Sequence, residues 1–298
     1  MFKRLKKISV AAGLMVALTA CSSMTQNSSV VSAQEGNNIV LEGKVTEQLV
    51  IDSQDDVTVT LKNVTATMQT SVISVENANS VTIVLEGENT LATTGTDTNT
   101  IDSKDDLIVT GNGTLNIQSN DNGIKSNDDL TIEGGTLNIT AGSDGLKANE
   151  TLTINGGTMN IEAAEALEAT EIIINDGTID ITAYDDGMNA SQKSDTKTPL
   201  IEINGGDITI QMAQGDTDAV DSNGSLYING GTLNISAQFA FDYDSNGELN
   251  GGTVIVNGEE ITQLTNSMME GPMGGMENGM HPMDQENGQN GMMQGFRR

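Results

Sequence analysis

The sequence has few of the residues that build common enzyme sites. Its 298 residues include no tryptophan, one cysteine and one histidine, and its arginines stand only at Arg4, Arg297 and Arg298. A single cysteine excludes an internal disulfide framework. The scarcity of histidine and arginine excludes most catalytic constellations that depend on imidazole or guanidinium groups.

Aromatic residues and positive charge are also scarce. Aromatic side chains make up 2% of the chain, so Val, Ile, Leu, Thr and Ala must build the interior, which suits thin stacked layers better than one bulky core. The 42 Asp and Glu against 13 Lys and Arg give a formal charge of −29. Such a surface repels nucleic acid, which is therefore excluded as a partner.

The amino-terminal residues resemble a bacterial lipoprotein leader. A basic region at residues 3–7 precedes an apolar stretch, Ile8 to Leu18, that is too short to span a bilayer. The following Leu18-Thr19-Ala20-Cys21 resembles a lipobox, in which cleavage before the cysteine leaves a lipid-anchored residue. An ordinary secretory peptide with an unmodified thiol is the alternative. The predicted features are a signal peptide at residues 1–20, lipidation of Cys21, a flexible tether at residues 21–37 and attachment to the extracellular face of the cell membrane.

A phrase of the type Gly-Gly-Thr-Leu-Asn-Ile recurs at intervals of 20 to 29 residues. Its second glycines are Gly113, Gly135, Gly157, Gly177, Gly206, Gly231 and Gly252. Each unit holds three short alternating segments, as a parallel β-helix requires when its coils stack ~4.8 Å apart. The pattern predicts an all-β parallel β-helix of roughly nine to ten coils at residues 38–264, with a protruding loop at residues 191–199. An antiparallel sheet with hairpins at Asn155-Gly156 and Asn229-Gly230 is the alternative.

Two sets of aligned positions predict the interior of this β-helix. Period-two alternation sends both sets inward, so that like side chains stack along the axis. One set pairs an aliphatic residue with a small residue two positions later: Ile51/Ser53, Ile101/Ser103, Ile124/Ser126, Leu146/Ala148, Leu167/Ala169, Met188/Ala190 and Val220/Ser222. The other set is Leu115/Ile117, Leu137/Ile139, Met159/Ile161, Ile179/Ile181, Ile208/Ile210, Leu233/Ile235 and Val254/Val256.

The composition changes after Thr265. Eight methionines stand among Gly, Asn, Gln and Pro at residues 265–298, together with His281. We interpret this segment as a disordered, low-complexity tail, because the methionines have no fixed spacing and the segment has little else to pack. A Cu(I) site built from thioethers and the imidazole is the alternative.

Acidic residues precede the first inward set in each coil. In-register coils would stack their carboxylates about 5 Å apart, where like charges repel unless a cation neutralises them. Calcium, which takes six to eight oxygen ligands, fits a surface rich in carboxylates and poor in His and Cys. A solvated acidic edge, partly paired with Lys125 and Lys147, is the alternative. The candidate ligands are Asp121, Asp144, Asp185, Asp186, Asp216, Asp218, Asp221, Asp242 and Asp244.

Three stretches carry a resemblance to a known family. Residues 121–139, 218–235 and 241–253 combine Asp-rich turns with the Gly-Gly-Thr phrase, and they resemble the carbohydrate-binding domain proteins of anaerobic Gram-positive bacteria. The resemblance implies a cell-surface, right-handed parallel β-helix similar in shape to polysaccharide lyases. It also implies bound calcium and binding of plant cell-wall polymers, including cellulose and polygalacturonate. Glu165-Ala166 departs from the Asp-Gly phrase, which argues against a metal at that coil.

The predicted function is calcium-dependent binding of an acidic polysaccharide without catalysis. The outward positions Asp102, Lys125, Lys147, Glu168, Asn189 and Asp221 offer hydrogen-bonding partners along the axis. Calcium would bridge protein and uronate carboxylates, and Lys125 and Lys147 would add positive charge. A pectate-lyase-like enzyme needs a strong base, and only those two lysines are candidates for it. That enzyme, a hydrolase using two carboxylates, and a structural or adhesion protein are the alternatives.

Overall fold

A computed structural model describes residues 7–9, 15–19, 33–214 and 217–266. Every regular element in these ranges is a β-strand, and none of the described residues form a helix able to cross a bilayer. The strands form a parallel β-solenoid of about 9 turns, which confirms the predicted fold class. The antiparallel alternative is wrong, because consecutive turns pair in parallel throughout the repeats.

Each turn of the solenoid contributes one strand to each of three faces. The first face, sheet 1, has 11 strands. Its first strand pairs antiparallel with the second, and the second pairs antiparallel with the third. The first two strands fall within the predicted leader, whose cleavage stays a prediction. The strands of sheet 1 are Lys7–Ser9, Met15–Thr19, Gln48–Asp52, Ile73–Asn77, Ile101–Ser103, Ile124–Ser126, Asp144–Ala148, Glu165–Ala169, Met188–Ala190, Asp218–Ser222 and Phe239–Tyr243.

The second and third faces belong to one sheet of 20 strands, because the long strands Asn38–Val45 and Asp56–Met68 run along both faces. Ala33–Glu35 pairs antiparallel with the first of them. The second face continues through Ser80–Glu86, Leu107–Gly111, Leu130–Ile132, Thr151–Ile154, Glu171–Ile174, Leu200–Ile203, Ser225–Ile228 and Gly247–Leu249. The third face continues through Glu88–Thr93, Thr114–Ser119, Thr136–Ala141, Thr158–Ala163, Thr178–Ala183, Asp207–Met212, Thr232–Ser236, Thr253–Val256 and Glu259–Ile261.

Stacked aliphatic side chains fill the interior, as the alternation predicts. In sheet 1, Ile124 lies between Ile101 and Leu146 of the neighbouring turns, and all three are fully buried. The predicted alignment of Ile51 with Ile101 is wrong. Ile51 is in register with Val75 of the next turn, whereas Ile101 is in register with Ile73, two residues earlier in that turn. A shift of two residues leaves every side chain on the same face, so alternation cannot detect it.

The corners between the second and third faces combine glycine with a stack of asparagine side chains. Gly157 has φ +96°, and a Cβ there would lie 2.9 Å from the carbonyl oxygen of Gly135 one turn below. The preceding Asn155 accepts a 2.8 Å hydrogen bond from Nδ2 of Asn175 in the next turn. The Asn-Gly pairs that resemble hairpin turns therefore form corners of the solenoid. There the asparagine side chain of one turn accepts a hydrogen bond from the asparagine side chain of the next turn.

Candidate functional site

The outer surface of sheet 1 carries two adjacent columns of polar side chains, which we call the band. Short strands such as Ile124–Ser126 bury their outer two residues and present only the middle one outward. The outward column therefore follows the strand register, as predicted, and consists of Asp102, Lys125, Lys147, Glu168, Asn189, Asp221 and Asp242. The turn column stands three residues earlier in each turn and consists of Asn99, Asn122, Asp144, Glu165, Asp186 and Asp218.

Side-chain oxygens in the turn column hold the backbone of the next turn. Asn122 donates from Nδ2 to Oδ1 of Asn99 at 2.8 Å, and its own Oδ1 accepts the backbone N–H of Asp144 at 3.0 Å. The backbone N–H of Asp218 likewise donates to Oδ1 of Asp186 at 3.3 Å. The turn column thus needs short side chains with an acceptor oxygen, which is a structural reason for Asn and Asp there.

Three carboxylates meet in the middle of the band. Ligand oxygens of Asp144, Glu165 and Glu168 all lie within 4.8 Å of one another, and Asp144 and Glu168 are each only 3% exposed. Lys147 lies between two of them, with Nζ 2.7 Å from Oδ2 of Asp144 and in contact with Oε2 of Glu168. Lys193 contacts the other oxygen of Glu168. We call these five residues, with Lys125, the lysine end.

The titration of the lysine end follows from burial and ion pairing. Burial, together with the charge of Glu168, raises the pKa of Asp144 to about 6. Burial and the charges of Glu168 and Asp144 raise the pKa of Glu165 to about 7. Burial opposes charge on Lys147, but hydrogen bonds to Asp144 and Glu168 outweigh it and raise its pKa to about 12. Burial also opposes charge on Glu168, yet hydrogen bonds from Lys147 and Lys193 lower its pKa.

Farther along the axis lies the aspartate end, formed by Asp186, Asp218, Asp221 and Asp242. Burial and the charges of Asp185, Asp218 and Asp242 raise the pKa of Asp186 to about 6, although a backbone hydrogen bond from Asp218 opposes the shift. Burial and neighbouring aspartates, Asp186 first, raise the pKa of Asp221 to about 7. Within the described ranges, no lysine forms an ion pair with Asp186, Asp221 or Asp242.

Asn189 joins the two ends. Its Nδ2 donates to Oε2 of Glu165 at 3.1 Å and to Oδ2 of Asp186 at 3.3 Å. Its Oδ1 is buried and has no hydrogen-bond partner among the described residues. An amide oxygen left in this state beside several carboxylates has the chemistry of a hard-cation ligand.

The predicted ligands do not all lie on the band. Asp144, Asp186, Asp218, Asp221 and Asp242 do. Asp121 and Asp185 each precede a turn-column residue by one position, and Asp244 lies exposed beyond the end of its strand. Asp216, Cys21 and the methionine-rich residues 267–298 lie outside the described residues.

Sequence reasoning missed Glu165, Glu168 and Lys193 as members of this cluster. Glu165 had been discounted for its departure from the Asp-Gly phrase, but strand register places it beside Asp144. Lys193 comes from the loop at residues 191–199. The backbone N–H groups of Lys193 and Ser194 donate to Oγ1 of the buried Thr170, which ties the loop down on the preceding turn.

Burial and ion pairing limit which side chains can contact a glycan. Phe241 is 1% exposed and belongs to the core, so its ring cannot stack on a sugar. Lys147 is held by two carboxylates, so its removal would disturb the fold as well as the surface charge. Tyr184 is 55% exposed and remains accessible for stacking.

A shallow groove crosses the third face. Asn116, Asn138 and Asn160 line it as a ladder. Nδ2 of Asn138 donates to Oδ1 of Asn116, and Nδ2 of Asn160 donates to Oδ1 of Asn138, both at 2.8 Å. Glu162, also in the lining, accepts a hydrogen bond from the Tyr184 hydroxyl. The groove is thus mainly uncharged and has an exposed ring at its side.

Comparisons with known proteins place this surface in context. A family model described as "Carbohydrate-binding domain-containing protein" matches residues 26–171 and 165–268. The chain belongs to this carbohydrate-binding family. One solved structure is described as the polysaccharide lyase-like protein from C. thermocellum, in a gadolinium derivative. It is 25% identical in sequence to this chain, with a TM-score of 0.50. The match covers 78% of this chain and 91% of that one. A search of curated proteins found no match.

Membership of this family makes a polysaccharide the expected partner. The band offers two ways to bind a polysaccharide. Its ammonium groups bind anionic groups directly, and its carboxylates bind them only through a shared cation. The groove on the third face instead offers amide hydrogen bonds and ring stacking. The family model confirms the resemblance to carbohydrate-binding domain proteins drawn from the sequence.

Proposed function

We propose that the chain is a non-catalytic protein of the cell surface that binds acidic cell-wall polysaccharide, such as polygalacturonate, through calcium held at the aspartate end of the band. The observation that carries this proposal is the group of half-buried carboxylates at the aspartate end. The pKa values of Asp186 and Asp221 are raised there, and Asp186, Asp221 and Asp242 have no lysine partner in the described structure.

The donor atoms at the aspartate end are of the type that calcium prefers. Asp186, Asp218, Asp221 and Asp242 present hard oxygen atoms, and Asn189 adds an amide oxygen that has no hydrogen-bond partner in the described ranges. Calcium takes six to eight oxygens from such groups. When bound it would neutralise the aspartates and present positive charge to a uronate.

Electrostatics explains why a cation is needed. A chain with a formal charge of −29 repels a polyanion, and the salt bridges of the lysine end already engage Lys147 and Lys193. A divalent cation shared by protein and uronate carboxylates would turn that repulsion into attraction. Lys125, which lies beside Lys147 in the outward column, would add a further contact.

The surroundings of Lys147 argue against a lyase. Abstraction of a sugar C–H proton needs a base with a pKa near the working pH, whereas the carboxylates around Lys147 raise its pKa to about 12. Sequence positions 5–296 hold no arginine to serve instead. Lys147 therefore fits ion pairing better than proton abstraction.

Retention on immobilised polygalacturonate tests this function. We expect full-length protein to be retained in calcium and released by excess chelator. Asp186→Asn/Asp221→Asn should lose retention, whereas Asp207→Asn/Glu248→Gln, which removes the same charge at exposed positions elsewhere, should not. Equal retention in chelator would refute the role of calcium. Release of unsaturated uronides that absorb in the ultraviolet would show a lyase instead.

Cellulose is the second candidate polymer, because the asparagine ladder of the mainly uncharged groove on the third face and the exposed Tyr184 suit a neutral glucan. Tyr184→Ala should then lower retention on microcrystalline cellulose while leaving polygalacturonate binding unchanged. Loss of both activities, or of neither, would contradict a separate cellulose face.

Attachment to the extracellular face of the membrane through a lipid on Cys21 is part of the proposal. Metabolic labelling with a fatty-acid analogue should mark the wild-type protein, and Cys21→Ala should release it from the cell. An unlabelled wild-type protein, or a Cys21→Ala variant that stays attached, would refute the anchor.

A further inference from the structure

The predicted leader forms one edge of sheet 1. Met15–Thr19 pairs antiparallel with Gln48–Asp52 over all five residues of each strand. Lys7–Ser9 pairs antiparallel with Met15–Thr19 on its other side. Both ends of the apolar stretch from Ile8 to Leu18 are therefore held as β-strands against the solenoid.

The direction of the backbone groups shows how the leader is held. The N–H of Leu49 donates to the carbonyl oxygen of Val72 in the next turn at 2.9 Å. Neighbouring residues of a strand direct their backbone groups to opposite sides, so the N–H of Val50 points toward the leader. In the register of the two strands, Val50 lies opposite Ala17. A change that removes only the N–H of Val50 would therefore weaken the contact with the leader and spare the pairing with the next turn.

Among the described strands, the leader alone covers this side of Gln48–Asp52. The two neighbours of Gln48–Asp52 in sheet 1 are Met15–Thr19 and Ile73–Asn77. The second face is covered differently at the same end, because Ala33–Glu35 folds back antiparallel on Asn38–Val45. An open edge strand pairs readily with other segments, so the docked leader protects sheet 1.

A strand on sheet 1 and a segment inside a bilayer are mutually exclusive states of the leader. Within the hydrocarbon, backbone N–H and C=O groups need partners inside the inserted segment, which a helix supplies and an open sheet edge does not. The apolar stretch must therefore leave Gln48–Asp52 before it enters a membrane. Any free energy that docking adds to the folded state opposes insertion by the same amount.

We propose that the leader docks on sheet 1 when the solenoid folds before export, and that this autoinhibitory contact withholds the leader from the membrane. The proposal rests on the membrane-targeting role that the proposed function gives the leader. Folding and insertion then compete for the same residues. An unfolded chain presents its leader to the membrane, whereas a folded chain engages the backbone of the leader in a sheet. Cleavage before Cys21 ends the competition.

Hydrogen exchange tests the docking. The folded full-length chain carries Cys21→Ser, which excludes lipidation and disulfide formation, and is compared with a synthetic peptide of residues 1–20. The backbone amides of Met15–Thr19 should exchange roughly tenfold more slowly in the chain than in the peptide. Equal exchange in the two would overturn the proposal. This measurement does not involve the lipid on Cys21, so a failure of the fatty-acid labelling would leave its outcome unchanged.

Flotation with phosphatidylcholine vesicles tests the competition. We expect the folded Cys21→Ser chain to stay in solution, and the same chain diluted from urea into vesicles to float with them. Val50→Pro removes the N–H that points toward the leader, so it should raise the vesicle-bound fraction of the folded chain roughly fivefold. Glu260→Pro, in the strand Glu259–Ile261 at the other end of the solenoid, is the matched control and should not.

Either of two results would overturn the competition. One is equal flotation of the folded and the urea-diluted Cys21→Ser chains, which needs no proline variant and holds whether or not Val50→Pro folds. The other is an equal effect of Val50→Pro and Glu260→Pro, which would assign vesicle binding to a general loss of stability.

Discussion

The lysine end and the aspartate end of the band are built on the same strand register but neutralise their carboxylates differently. At the lysine end, Lys147 contacts both Asp144 and Glu168, and Lys193 completes the group. At the aspartate end, burial and the charges of neighbouring aspartates raise the pKa values of Asp186 and Asp221. The comparison shows that stacking alone does not create a cation site, because one lysine in the outward column can provide the positive charge internally.

The largest expected effect comes from removing that lysine. Lys147→Met leaves Asp144 and Glu168 buried without their shared ammonium group, so we expect a loss of about 3 to 5 kcal/mol in the free energy of unfolding at neutral pH. Urea denaturation measures it, with Lys125→Met in the same column as the control. If the two variants lose equal stability, the internal counter-ion has no special role.

Calcium should stabilise the protein through the aspartate end. A ligand that binds only the native state adds about 2.7 kcal/mol at a hundredfold excess over its Kd, so the melting temperature should rise with calcium and fall with chelator. Asp186→Asn/Asp221→Asn should abolish the rise, while Asp144→Asn tests whether the lysine end also takes part. Identical melting curves of the wild-type protein in calcium and in chelator would reject the site.

The same two aspartates should make stability depend on pH. Their pKa values of about 6 and about 7 in the folded state lie above the ordinary aspartate value, so the folded state binds more protons and stability falls as pH rises from about 4 to 7. In calcium-free buffer, Asp186→Asn/Asp221→Asn should gain about 1 to 2 kcal/mol at pH 7 after allowance for solvent screening, and nothing at pH 4. A gain that is the same at both pH values would contradict this origin.

The smallest effect is expected for Lys125. Its neighbour Lys147 is engaged by carboxylates, so Lys125→Ala tests the glycan contact without breaking a described ion pair. An exposed charge contributes up to about 1 kcal/mol, so retention on polygalacturonate should weaken about two- to fivefold with unchanged melting temperature. Lys44→Ala, at an exposed position off the band and likewise outside the described ion pairs, is the control, and an equal loss there would indicate a general charge effect.

Part of the site could be predicted from the sequence. The period-two alternation placed Lys125, Lys147 and Glu168 in one outward column, because neighbouring strands in register align residues of the same parity. The alternation does not predict which charged side chains form ion pairs with each other. Lys193 reaches Glu168 from a loop 25 positions further along the chain, and only the path of that loop over Thr170 brings the two together.

The sequence by itself determined the solenoid, since repeated glycine corners and inward aliphatic columns are written along the chain and need no distant contact to be recognised. The tertiary structure alone decided the two-residue register shift at Ile51, the burial of Phe241 and the division of the band into two ends. All three features depend on the distances between turns, and insertions of different length determine those distances. The energy of a buried carboxylate depends on those distances and on what lies next to it, and not on its position in the repeat.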